Sequence, residues 1–196
     1  MTPGGTRLSL VGNQLFDLVA SGSRAGAVRF VHSLLVSATE PAALIDDGLV
    51  PVQRRVGELW ELSLIDVADA HAMTSIVEEL LSAIVLHLPS GTPRHRVIFA
   101  CPDGEWHSLP ARVSGELLQT HDWSVTFAGA STPSATLAAL ARSHRPLAVV
   151  LSCTTAARLV AARDAIEILH ERHVPVLVGG PGFGRDDRRA LSLIHI

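Results

Sequence analysis

Tyrosine and lysine are both absent from the 196 residues, so every basic side chain is an arginine or a histidine. That bias reflects genomic base composition rather than chemistry. Only two cysteines occur, Cys101 and Cys153, each ending an apolar run. They read as small buried residues and exclude a disulfide framework. Without a Cys-x-x-Cys pair a structural zinc site is also excluded. No uncharged apolar run approaches the roughly 18 residues that span a bilayer, so no membrane partner is expected. Met1–Thr6 has no basic flank leading into an apolar stretch, which predicts a cytoplasmic protein without a secretory signal. The net charge of −3 gives no electrostatic case for direct nucleic-acid binding.

What is present is globular material, with 47% hydrophobic and 18% charged residues. Two periodicities divide it. From Leu8 to Leu88 apolar residues recur three and four apart, the helical spacing. Leu8–Leu18, Ala27–Leu35, Leu44–Leu59 and Val67–Leu88 give successive stripes. Ser21-Gly22-Ser23, Glu40-Pro41 and Ser63–Asp66 separate them. Helices joined by short loops predict a four-helix bundle over residues 7–88. Pro89-Ser90-Gly91-Thr92-Pro93 reads as a linker, bounded at 89–94.

Beyond the linker, short β-branched runs at Arg96–Ala100, Ser124–Ala130, Leu147–Ser152 and Val174–Gly180 alternate with helical stretches. The helical stretches are Leu109–His121, Ser134–Ser143 and Ala157–His170. This alternation predicts an α/β domain over 95–196, a Rossmann-like (flavodoxin-like) parallel sheet with helices on both faces. Ligands of such sheets bind beyond the carboxyl ends of the strands. In the loop after the first strand, Glu105 lies two residues before His107, where its carboxylate suits the second imidazole N–H of a metal-bound histidine. The same spacing also describes a solvated loop histidine beside an acidic residue.

Glu105-Trp106-His107-Ser108-Leu109-Pro110 resembles the Asp-x-His-x-x-Gly motif of base-off/His-on cobalamin-binding domains. The resemblance extends to Leu151-Ser152-Cys153-Thr154 after the third strand and to Gly179-Gly180-Pro181-Gly182 after the fourth. In the first half, Gly57-Glu58-Leu59-Trp60 followed by Ala70-His71 resembles the Trp-x9-Glu-His element in the cap bundle of B12-dependent photoreceptor regulators. It covers about residues 8–184. It implies that the cofactor is cobalamin, in its adenosyl or methyl form, with cobalt ligated by His107 from below. Glu105, Trp106 and Ser108 belong to the same motif. Ser152, Thr154, Gly179 and Gly180 would line the pocket for the displaced benzimidazole tail. Trp60 would shield the upper ligand, with His71 beside it. On a continuous helix the eleven residues between them make about three turns and turn both one way. Taken alone, Trp60 reads first as a core aromatic and His71 as a core histidine.

Four departures from the family pattern stand out: Glu105 replaces aspartate, Pro110 replaces the motif glycine, Ala70 replaces the cap glutamate, and Glu61 replaces a histidine. The last argues against a bis-histidine light switch. The family continues through a fifth strand and a closing helix, whereas this sequence stops at Ile194-His195-Ile196, which implies an incomplete carboxyl end. Gly180–Gly184 follows the fourth strand and has Arg185 where a dinucleotide fingerprint needs its third glycine. Ser152 lacks a nucleophile-elbow pattern. The remaining histidines are scattered and read as surface residues, and Arg185–Arg189 as a solvated helix face. The expected role is a B12-dependent regulatory module, light-responsive in one version, acting through a protein partner or a homo-oligomer. The alternatives are a corrinoid methyl carrier, or a degenerate module that keeps the fold alone. None makes the chain an enzyme by itself.

Overall fold

The computed structural model describes residues 3–89 and 91–184. The expected helix face Arg185–Arg189 and the expected incomplete carboxyl end lie outside the described residues. The chain divides into two compact units, and the division falls between Leu88 and Pro89.

The first unit is helical. Helices α1 (Pro3–Ala20) and α2 (Arg24–Val36) precede the short α3 (Pro41–Leu44). A π-helical turn (Ile45–Leu49) leads from α3 into α4 (Val50–Glu61), and α5 (Val67–Val85) follows. The single third stripe of the sequence is therefore three segments. Pro51 lacks the N–H that would continue an α-helical ladder. The turn just before it is the wider π form, with the Val50 N–H donating five residues back to Ile45 O. Leu15, Val31, Leu49, Val56, Leu80 and Ile84 are among the buried side chains of this core.

One expectation fails here. Trp60 and His71 do not share a helix, because α4 stops at Glu61 and α5 starts at Val67. Ser63 is left-handed (φ 57°). Asp66 then starts α5 with a capping box: its Oδ1 accepts from Asp69 N at 2.8 Å, and Asp69 Oδ2 accepts from Asp66 N at 3.4 Å. Two chain-reversing signals override the spacing, so the three-turn argument for a shared direction is void.

The second unit is an α/β layer structure. It runs β1 (His95–Pro102), α6 (Leu109–Gln119), β2 (Trp123–Thr132), α7 (Ser134–His144), β3 (Ala148–Ser152), a 3-10 turn (Ala156–Arg158), α8 (Leu159–His170), β4 (Val176–Gly179) and a second 3-10 turn (Pro181–Phe183). All strand pairs are parallel, in the order β2-β1-β3-β4. Central β1 is covered on both faces. Val97, Phe99, Cys101 and Ala111 form one apolar layer, on the α6 side. Ile98, Ala100, Leu151, Cys153 and residues of α7 and α8 form the other. Gly115 lets α6 approach closely, since a Cβ there would lie 3.1 Å from Val125 Cγ1. The chain leaves β1 toward β2 and returns across it to β3. The carboxyl ends of β1 and β3 therefore flank the topological switch point, where the connections part and a crevice opens.

Candidate functional site

Two loops border that switch point. The first leaves β1 at Pro102. Glu105 N donates back to Pro102 O at 2.9 Å, and Gly104 is left-handed (φ 75°). The edge strand β2 pins this loop. Its register against β1 shifts between Phe99 and Ala100 and again between Ala100 and Pro102, which twists the strand end inward. Ser131 (φ 45°) is thereby brought to the loop. Its N–H donates to Glu105 O at 2.8 Å, its hydroxyl accepts from Gly104 N at 2.9 Å, and the hydroxyl donates to Asp103 Oδ1 at 3.1 Å.

Glu105 is the centre of the arrangement, a carboxylate only 1% exposed. Its Oε1 accepts from His107 N at 2.9 Å and lies 2.6 Å from His107 Nδ1. Its Oε2 accepts from Thr154 N at 2.9 Å, Thr155 N at 3.0 Å and Thr155 Oγ1 at 3.2 Å. Burial alone pushes this pKa up. The donors from His107, Thr155 and Thr154 outweigh burial and hold it below its ordinary 4.5. Glu105 is therefore ionised, and an ionised oxygen 2.6 Å from Nδ1 fixes the proton on that nitrogen. Nε2 has no partner among the described residues. The ring itself is 49% exposed. An imidazole oriented through one nitrogen by a buried carboxylate, with the other nitrogen open, is the donor arrangement of a metal-ligating histidine.

The neighbouring motif residues are placed as follows. Trp106, 72% exposed, offers a large apolar surface at the position just before His107. Ser108 precedes α6 without a side-chain cap, and Pro110 sits in the first turn, where its missing N–H costs nothing. Ser152 is buried at the end of β3. Thr154 Oγ1 is buried without a partner. Thr155, which sequence reasoning passed over, is the residue whose side chain reaches Glu105. A hydroxyl directly after the Ser-x-Thr stretch was the available signal.

The three glycines differ. A Cβ on Gly179 would meet nothing within 4 Å. Gly180 (φ 103°) and Gly182 instead lie against the Cys153 carbonyl, so their bareness is required by the chain's own backbone. Cys153 and Cys101 sit in opposite layers of the sheet. Burial, reinforced by the Glu105 charge, pushes their thiols up to about 11 and about 12. In the helical unit, Trp60 is 45% exposed at the end of α4, and His71 is exposed on α5. Among the described residues no three His, Cys, Asp or Glu side chains converge on a metal site. No helix among the described residues is long and apolar enough to cross a membrane.

The comparisons agree with this fold. Residues 95–196 match the B12 binding domain family, and residues 11–84 match the second B12 binding domain family. The chain is 30% identical over 145 residues to the HTH-type transcriptional repressor CarA of Myxococcus xanthus, covering 71% of this chain and 48% of that protein. It is 28% identical over 149 residues to the repressor CarH of the same organism, covering 74% and 50%. The chain thus spans about half the length of these curated relatives. The fold matches that of the monomethylamine corrinoid protein of Methanosarcina barkeri with a TM-score of 0.76, at 17% identity over 93% of this chain and 89% of that one. The methanol:cobalamin methyltransferase complex of M. barkeri matches with a TM-score of 0.50, at 18% identity over 96% and 76%. The match over residues 95–196, joined to a helical unit with its own match, places this chain in the B12-binding domain family.

Proposed function

We propose that this chain holds cobalamin with its own base displaced and His107 Nε2 on cobalt, and that it serves as a B12-dependent regulatory module. The observation that carries the proposal is the tether between Glu105 and His107, which leaves Nε2 as the open donor. Three features of the site fit the cofactor. The Thr154 hydroxyl is buried and unpartnered, as a group awaiting a polar ligand atom would be. The Ser152 hydroxyl, buried at the end of β3, would answer a nitrogen of the displaced heterocycle. Gly179 borders open space that a flat ring could enter.

Within this reading Glu105 holds the proton on Nδ1, Thr155 and Thr154 hold Glu105, and Trp106 packs on the corrin. Bound cobalamin would supply an organocobalt bond whose upper ligand is the signal-bearing or transferable group. Trp60, half-exposed in the helical unit, would supply an aromatic surface for an adenosyl group. The resemblance to two repressors in sequence supports regulation over methyl transfer. Control would pass through a protein partner or self-association.

The test is to add adenosyl-, methyl- and hydroxocobalamin separately in the dark, desalt, and record visible spectra of the wild type and of His107→Ala. Retained adenosylcobalamin with a His107-dependent spectral shift is the expected result. Preference for methylcobalamin would transfer the assignment to a methyl carrier. A folded protein that retains no corrin would refute the proposal and leave a module used for contacts alone.

A further inference from the structure

Arg158 ends the 3-10 turn after β3 and is the residue from which α8 starts. Its guanidinium lies along Gly104, in the loop that carries Glu105 and His107. A Cβ on Gly104 would stand 2.8, 2.9 and 3.2 Å from Nη1, Cζ and Nε. Those similar distances describe a planar cation laid flat on a bare backbone, at the carboxyl end of the sheet.

The Arg158 residue is exposed to solvent. Arg158 makes no ion pair among the described residues, although two acids stand in the adjacent loop. Asp103 is engaged by the Ser131 hydroxyl, and Glu105 by His107, Thr154 and Thr155. The positive end of the 12-residue α8 adds to the potential here, and no side chain caps it. Four positions earlier in the chain, the Thr154 hydroxyl is buried and has no partner among the described residues. A guanidinium, a helix amino terminus and a spare hydroxyl together favour an anion bearing several acceptor oxygens.

We propose that Arg158 recognises the phosphodiester of the cobalamin nucleotide tail. This rests on the cobalamin reading above. The corrin's peripheral side chains are neutral amides, so the phosphodiester is the anionic substituent that a bound cobalamin presents. Arg158 then selects corrinoids that carry a complete tail over those that lack one.

Wild type, Arg158→Ala and Arg158→Lys are titrated in the dark with hydroxocobalamin and with diaquacobinamide, which has the corrin but no phosphodiester. Visible spectra give affinity, and circular dichroism confirms folding. Arg158→Ala is expected to weaken cobalamin by ~10-fold or more and cobinamide by less than ~2-fold. Arg158→Lys should fall between, since it keeps the charge and loses the planar fork. Added salt should weaken cobalamin more in the wild type than in Arg158→Ala. Equal losses for both corrinoids would overturn the assignment and make Arg158 a brace for the Gly104 loop. Unchanged affinity for both would overturn it as well. If Arg158→Ala does not fold, Arg158→Lys decides by the same contrast. A wild type that retains neither corrinoid refutes the cobalamin reading itself, before any variant is compared.

Discussion

The Thr155 hydroxyl donates to Glu105 Oε2 at 3.2 Å, while the other oxygen of the same carboxylate holds the His107 ring. Thr155 therefore orients a ring that it never touches, through a carboxylate that has no other place to turn. Replacing Thr155 with valine keeps the shape and removes one donor, at a stability cost of about 1 kcal/mol. Glu105→Gln removes the charge, and corrinoid affinity is expected to fall by roughly 10- to 100-fold, as for other partners of metal-bound histidines. Spectral titration checks both. Glu105→Gln with unchanged affinity would show that the tether is dispensable.

Acid offers a second approach to the same carboxylate. The folded pKa of Glu105 lies below its ordinary 4.5, so its contribution to stability is present above 4.5 and is lost as pH falls through the lower folded value. Thermal melting between pH 7 and pH 3 should show this loss in the wild type, and a shallower one in Glu105→Gln. Equal acid sensitivity in the two proteins would place the effect elsewhere.

The glycines of the third motif separate into two roles. Gly180→Ala and Gly182→Ala drive a methyl group into the Cys153 backbone, and Gly180 would also hold alanine at φ 103°. Each should destabilise by about 2–4 kcal/mol. Gly179→Ala meets open space, so stability should move by less than about 0.5 kcal/mol. Any effect of that change should show in corrin retention instead. Denaturant melts of the three variants, followed by cofactor loading, distinguish the roles.

Both thiols are protonated at neutral pH, with pKa values pushed to about 12 at Cys101 and about 11 at Cys153. Native protein at pH 8 is expected to resist alkylation and to react at both sites in denaturant. The sign for stability is the reverse of that for Glu105. The raised values stabilise the fold below the ordinary thiol value of 9.0, and this contribution is lost as pH rises beyond it. Rapid labelling of the native protein would contradict this burial.

In the helical unit, Asp66→Ala removes the cap acceptor of α5 and should cost about 1 kcal/mol. The break between α4 and α5 fixes where Trp60 ends its helix, so corrin retention should fall along with the melting temperature. A changed melting temperature with unaltered retention would separate the cap from the site.

Much of this was legible in the residues. The switch from three-and-four spacing to β-branched runs located the change between units near Pro89, and the runs at Arg96 and Leu147 became β1 and β3. Glu105 and His107 were visible because their partnership is local, two positions apart. Thr155 was not, because its contact spans 50 positions and depends on β3 pairing beside β1. The β2 irregularities that bring Ser131 to the loop follow from strand register, which composition does not encode. The π-helical turn before Pro51 and the separation of Trp60 from His71 escaped a reading based on spacing alone, since spacing assumes an unbroken helix.

Glu105 is held by amides that emerge from β1 and by amides that emerge from β3, with β2 and α7 intervening in the chain. During folding, then, no amount of local order in the first loop can finish the ligand. A growing chain that has not yet emitted Thr155 has the histidine but not its clamp. On the reading proposed above, the clamp on His107 would close only when the third strand docks on the first, a contact between distant parts of the chain.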